Sequence, residues 1–254
     1  MKTLLWGAIL SGAVFTTGIA VAADLPARSP APAPYVAPPV FTWQGFYVGL
    51  QAGYQWGRTV GSLATAVGGP PIIPYSYGTN GFVGGVHAGY NHQINSLVLG
   101  IEGDLEFSDV KGRQIFPFGA VGAANINFSH RTKERWQGSL RLRAGIAFDR
   151  ALLYATGGLA YNNRRYSLGP AANPNALSHT ASTWGWTLGA GLEYAVGNNW
   201  SVRGEYRYAQ YPGKRSVFPA VNLSDRVRSY KTHTIRIGAS YRFGSPAAPV
   251  VAKY

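Results

Sequence analysis

The side chains best equipped for chemistry fall into two groups, and in both the charges alternate with other residues. The first runs Glu102-x-Asp104-x-Glu106, followed by Arg135, Arg141 and Arg143. The second comprises Glu193, Arg203, Glu205, Arg207, Arg236 and Arg242. Three carboxylates on one strand face could hold a hard cation such as Ca²⁺ or Mg²⁺. Glu193 or Glu205 could serve as a general acid or a nucleophile. Both groups could equally be ion pairs between neighbouring strands. The third reading is preferred. Three arginines stand against the three carboxylates, no oriented Ser/His/Asp set accompanies the glutamates, and the five histidines are scattered. An isolated buried ion is strongly disfavoured, so charges of opposite sign hidden together must pair. These residues are therefore read as one interior charge network. No catalytic residue, metal ligand or cofactor is expected.

The elements that must position these residues show a period of two, the signature of strands with unlike faces. In GFYVGLQAGYQW (45–56), Phe46, Val48, Leu50, Tyr54 and Trp56 share one face, and Tyr47, Gln51 and Gln55 the other. In SLRLRAGIAF (139–148), Leu140, Leu142, Ile146 and Phe148 oppose Arg141 and Arg143. Eight such segments follow one another between Gly45 and Gly244. Their length, roughly ten to thirteen residues, matches the 9–11 that a tilted strand needs to cross a bilayer. Tight turns at His92–Ser96, Asp149–Arg150 and Gly197–Asn199 alternate with long connections over 58–80, 108–134, 163–182 and 211–230. Short turns on one rim and long loops on the other predict an all-β, eight-stranded antiparallel up-and-down transmembrane β-barrel.

Which face looks outward is decided by two observations. The polar faces carry glycine, tyrosine and threonine, not the Lys and Glu of a water-facing surface. The apolar faces end in aromatics, among them Phe46 and Trp56, Trp136 and Phe148, and Trp184 and Tyr194, as the two girdles of a membrane barrel require. Leu140 and Leu142 are thus expected to face lipid and Arg141 and Arg143 the lumen. Eight strands leave room for side chains but not for a wide aqueous channel. A narrow ion path through rearranging salt bridges stays open at this point. His87 is placed in the lumen, His92 at a turn, His233 near a rim, and His130 and His179 in long loops. Loop histidines could ligate haem or metal, but solvated side chains are the preferred reading.

Composition agrees with strands and turns: 33 Gly, 16 Tyr, 11 Phe and 7 Trp among 254 residues. With no cysteine there is no disulfide and no thiolate metal site. Residues 1–22 read as a cleaved signal peptide ending Ala20-Val21-Ala22. Residues 23–44 read as a Pro-rich periplasmic linker, 45–244 as the barrel and 245–254 as a tail. The net charge of +13 could suit nucleic acid, but export argues against it. The basic residues crowd the long connections instead, at the level of lipopolysaccharide phosphates. Outer-membrane lipid and lipopolysaccharide are the expected partners, and nucleic acid is not.

The stretches AADLP, WQGFYVGLQAGY, LYATGGLAY, TWGWTLGAGLEYAV, NWSVRGEYRY, TIRIGASYRF and VVAKY resemble the alphaproteobacterial small outer-membrane β-barrel family, also called porin-like or OmpA-type barrels. The resemblance runs from the signal peptide to the last residue. It implies a structural outer-membrane protein that supports envelope integrity and meets the surroundings, with no catalytic residues. The alternating apolar series ending at Phe243 resembles the signal read by the barrel assembly machinery. The family includes haemin-binding members. A narrow porin-like channel, or loops that bind haemin or a host factor, is therefore the alternative function.

Overall fold

The computed structural model describes residues 41–65, 71–121, 124–170, 177–218 and 223–243. The expected signal peptide, the linker as far as residue 40 and the tail lie outside them. Ten strand segments follow in chain order: β1 (Gly45–Thr65), β2 (Pro71–Ile94), β3 (Leu97–Ser108), β4 (Lys111–Val121), β5 (Ala124–Phe148), β6 (Ala151–Pro170), β7 (Leu177–Ala195), β8 (Trp200–Pro212), β9 (Arg215–Phe218) and β10 (Leu223–Phe243). They pair antiparallel in the order β1-β10-β8-β7-β6-β5-β3-β2, and β1 also pairs with β2. The ring of eight is closed. β4 and β9 prolong β3 and β8. β5 pairs with β3 as far as Trp136 and with β4 from Lys133 on, and β9 pairs with β10 beyond the end of β8. A closed ring leaves no unpaired edge, the condition for a sheet to stand in hydrocarbon.

The two faces part as the alternation dictates. Leu142 and Ile237 are each 70% exposed, whereas Arg141 and Arg236 are 1% and 2% exposed. The tight turns lie on one rim. Asn95–Ser96 joins β2 to β3 and Asp149–Arg150 joins β5 to β6. Asn95 and Asp149 take left-handed conformations, with φ of 55° and 52°, which Asn and Asp tolerate better than other residues.

The other rim differs from expectation. The connections read as long loops are largely strand: β1 continues to Thr65, and Arg58 pairs with Gly78 and with Lys231. The reason is a change of solvent, not of backbone. Beyond the girdle most outward positions are polar, among them Arg58, Ser76, Lys133 and Arg165, so regular apolar alternation ends. Hydrogen-bonded pairing continues, with Thr59, Tyr75, Tyr77, Thr79 and Tyr230 buried inside. Of the segment expected to be a linker only residues 41–44 are described, and they lie just before β1. Trp43, 1% exposed, packs with Val98, Leu152, Tyr154 and Ala195 across the short-turn mouth. Its indole N–H donates to the Asp149 carbonyl at 3.2 Å, and its backbone N–H donates to Gln93 Oε1 at 2.6 Å.

Candidate functional site

The lumen is filled by charge. Inward positions on β3 carry Glu102, Asp104 and Glu106, those on β5 carry Arg141 and Arg143, and Glu193 projects from β7. Arg203, Glu205 and Arg207 come from β8 and Arg236 from β10. β3 and β8 are four places apart in the ring of eight, so they stand on opposite walls. Side chains bridge that gap directly. Arg203 reaches Glu102 at 2.5 Å, and Arg207 reaches Asp104 at 3.1 Å and Glu106 at 2.8 Å. Arg141 lies 2.5 Å from both Glu102 and Glu205. Arg236 contacts Glu106 at 2.9 Å and also Glu205. Arg143 pairs with Glu193 and lies 3.8 Å from the Tyr154 ring centroid.

Neutral groups complete the set. Tyr47 donates to Glu102 at 2.8 Å, Tyr154 to Glu205 at 3.0 Å and Gln51 to Glu106 at 2.8 Å. Five guanidinium groups thus meet five carboxylates, with hydroxyls and amides taking further lone pairs, as buried ions require. Gly191 makes room for this: a Cβ there would lie 2.6 Å from the Tyr154 ring.

Two residues assigned to the network from sequence stand elsewhere. Arg135 is exposed. The register slips between Glu134 and Trp136, so Arg135 is the extra residue of a β-bulge and the inward parity changes there. Glu134 turns inward in its place, fully buried, and accepts from Tyr230 at 3.1 Å and Gln55 at 3.2 Å. Arg242 does point inward, but at the short-turn mouth. Its guanidinium lies 4.5 Å from the Phe41 ring centroid and 4.9 Å from that of Trp43.

Beyond the bulge lies a layer that sequence reasoning missed. His130, read as a solvated loop residue, is 1% exposed. Its Nε2 is 3.0 Å from Asp225 and its Nδ1 2.9 Å from the Tyr77 hydroxyl. Tyr75 donates to Asp225 at 2.5 Å. Arg164 lies over the Tyr230 ring at 3.8 Å. Burial pushes the Tyr75 and Tyr77 phenols well up from their ordinary value, and the Asp225 carboxylate adds to the rise at Tyr75.

The outer wall is banded. Near the short turns, Phe46 packs on Tyr90 and Trp200 on Tyr241. Farther along, Tyr54 packs on Phe82, Trp186 on Tyr208, and Tyr161 on both Trp136 and Trp184. The bands are eight to ten residues apart on β1, about 20–25 Å along tilted strands, the height of a bilayer's apolar core.

The sequence model of the outer membrane protein β-barrel domain matches residues 27–243. The chain belongs to the outer-membrane β-barrel family. A 31 kDa outer-membrane immunogenic protein of Brucella melitensis is 37% identical over 266 residues, covering 96% of this chain and all of the relative. A 22 kDa outer membrane protein of Rhizobium leguminosarum is 31% identical over 205 residues, covering 81% of this chain and 80% of its own. Among solved structures, Neisserial surface protein A is 17% identical with a TM-score of 0.43, covering 78% of this chain and 97% of that one. The outer-membrane β-barrel chain described here resides in the outer membrane, among its lipids and lipopolysaccharide, with its apolar band against the hydrocarbon.

Proposed function

We propose that this barrel is a sealed structural element of the outer membrane that braces the envelope, neither an enzyme nor a conducting pore. One observation carries the reading: Arg203 and Arg207 cross from one wall to Glu102, Asp104 and Glu106 on the opposite wall. An ion passing that level would have to break several charge-assisted hydrogen bonds at once. The Trp43 cluster closes the short-turn mouth as a second barrier. By the asymmetry of bacterial outer-membrane barrels, short turns face the periplasm and long connections the exterior. Assembly through the barrel machinery is part of this reading. The channel alternative needs the cross-lumen pairs to exchange partners. The haemin alternative loses one of its two loop histidines, since His130 is buried with both ring nitrogens engaged, and it would have to rest on the exposed His179.

Single-channel recording in planar bilayers tests the proposal. The full chain is expected to stay silent, and Glu102→Ala with Arg203→Ala is expected to introduce openings. Steady openings in the unaltered protein would overturn the sealed reading.

A further inference from the structure

Just beyond the outer girdle, the outward side of β4, β5 and β6 is strongly basic. Lys111, Lys133 and Arg165 stand opposite one another across the three strands, and Arg113 stands opposite Arg131 in the next outward row. They line a concavity of about 590 Å³. Like charges directly opposite across strands repel. Asp109 at the edge answers two of them, Lys111 at 2.8 Å and Lys133 at 4.0 Å. The buried Nε of Arg131 has no hydrogen-bond partner. On the membrane side of this basic cup, the same outer wall is dented by an apolar groove of about 370 Å³ between Trp136, Leu140, Tyr161 and Trp184, floored by Gly138.

We propose that cup and groove form one site for a phosphorylated glycolipid of the outer leaflet. The guanidinium forks and ammonium groups take the phosphates, and an acyl chain lies in the groove. Height supports this assignment. Lys133 is three residues from the girdle residue Trp136, about 8 Å along a tilted strand, which is headgroup level. A site for a free anion would have no use for the groove. The inference rests on the proposed orientation, with the long strands outside.

The test uses the full chain in nanodiscs and measures binding of bisphosphorylated lipid A, dephosphorylated lipid A and inorganic pyrophosphate. Lys133→Gln with Arg165→Gln is compared with Arg58→Gln with Lys231→Gln, an exposed pair on the opposite wall. Heat-modified gel mobility verifies that both are folded. Binding of bisphosphorylated lipid A is expected to weaken at least about tenfold in the first variant and to change less than about twofold in the second. Equal losses in both variants would overturn the site, as would equal binding of the dephosphorylated lipid. Pyrophosphate binding as tight as lipid A would replace it with a simple anion site. Lost selectivity with a silent lumen sinks this inference alone, whereas steady conductance with selective lipid A binding sinks the sealed-barrel proposal alone.

Discussion

Arg203 on β8 donates to Glu102 on β3 at 2.5 Å, although the two strands face each other across the full width of the barrel. Arg141, on the strand beside β3, donates to the same carboxylate at 2.5 Å from the other side. Glu102 is therefore held by arginines from two walls. Removing one partner of a buried pair costs about 3–5 kcal/mol because the other is left uncompensated. Arg203→Met is expected near the low end of that range, since Arg141 remains. Adding Glu102→Gln should cost less than the sum of the single changes by about 1–3 kcal/mol. Urea unfolding in detergent micelles, read by gel mobility, checks both; strict additivity would show that the pair is not coupled.

The outward wall should resist charge most strongly midway between the girdles. Leu142 lies midway between Trp136 and Phe148 on β5 and is 70% exposed. Leu142→Arg is expected to destabilise the barrel in lipid by about 2–4 kcal/mol. Arg135→Ala, at the exposed bulge, should cost less than about 0.5 kcal/mol. Reversible folding into vesicles, followed by tryptophan fluorescence, measures the two together.

Trp43 closes the short-turn mouth while lying outside every strand. Trp43→Ala should leave the barrel folded yet lower its stability by about 3–5 kcal/mol, the usual cost of emptying a large aromatic site. Unfolding midpoints compared with those of Thr42→Ala separate loss of the plug from a general effect of the segment.

The phenols beyond the outer girdle set an alkaline limit. In the folded chain Tyr75 and Tyr77 titrate well above the ordinary value of about 10. The unfolded chain therefore binds fewer protons than the native one once the pH exceeds about 10, and stability must fall as pH rises. Below that pH their contribution is fully present. Absorbance at 295 nm should show exposed tyrosines ionising first and the buried pair ionising only as the outer layer opens. A single unperturbed transition for all tyrosines would contradict this.

Much of the barrel was legible because two solvents write opposite messages on one strand. Between the girdles, lipid demands Leu, Ile and aromatics on one face while the lumen accepts Arg, Glu and Gly on the other. Residues 45–56 and 139–148 can be read by parity alone. Parity fails at a bulge, where one extra residue exchanges the faces. Strict alternation therefore puts Arg135 with the inward set and passes over Glu134, which the register slip turns inward. It fails again outside the girdles, where water replaces lipid and both faces turn polar. There His130, Arg164 and Asp225 looked like loop residues, although the backbone stays paired and their side chains are buried. The faint signal for the plug was Phe41-x-Trp43, two aromatics spaced as in a strand just before β1.

The most direct test of the sealed lumen is a through-space NMR measurement in lipid bilayers between the Arg203 guanidinium nitrogens and the Glu102 carboxyl carbon. A clear dipolar coupling between these groups on opposite walls is expected, and it should vanish in Arg203→Met while the barrel stays folded. A folded barrel with no such coupling, nor one between Arg207 and Glu106, would mean that the walls are not bridged and the lumen is not closed by charge.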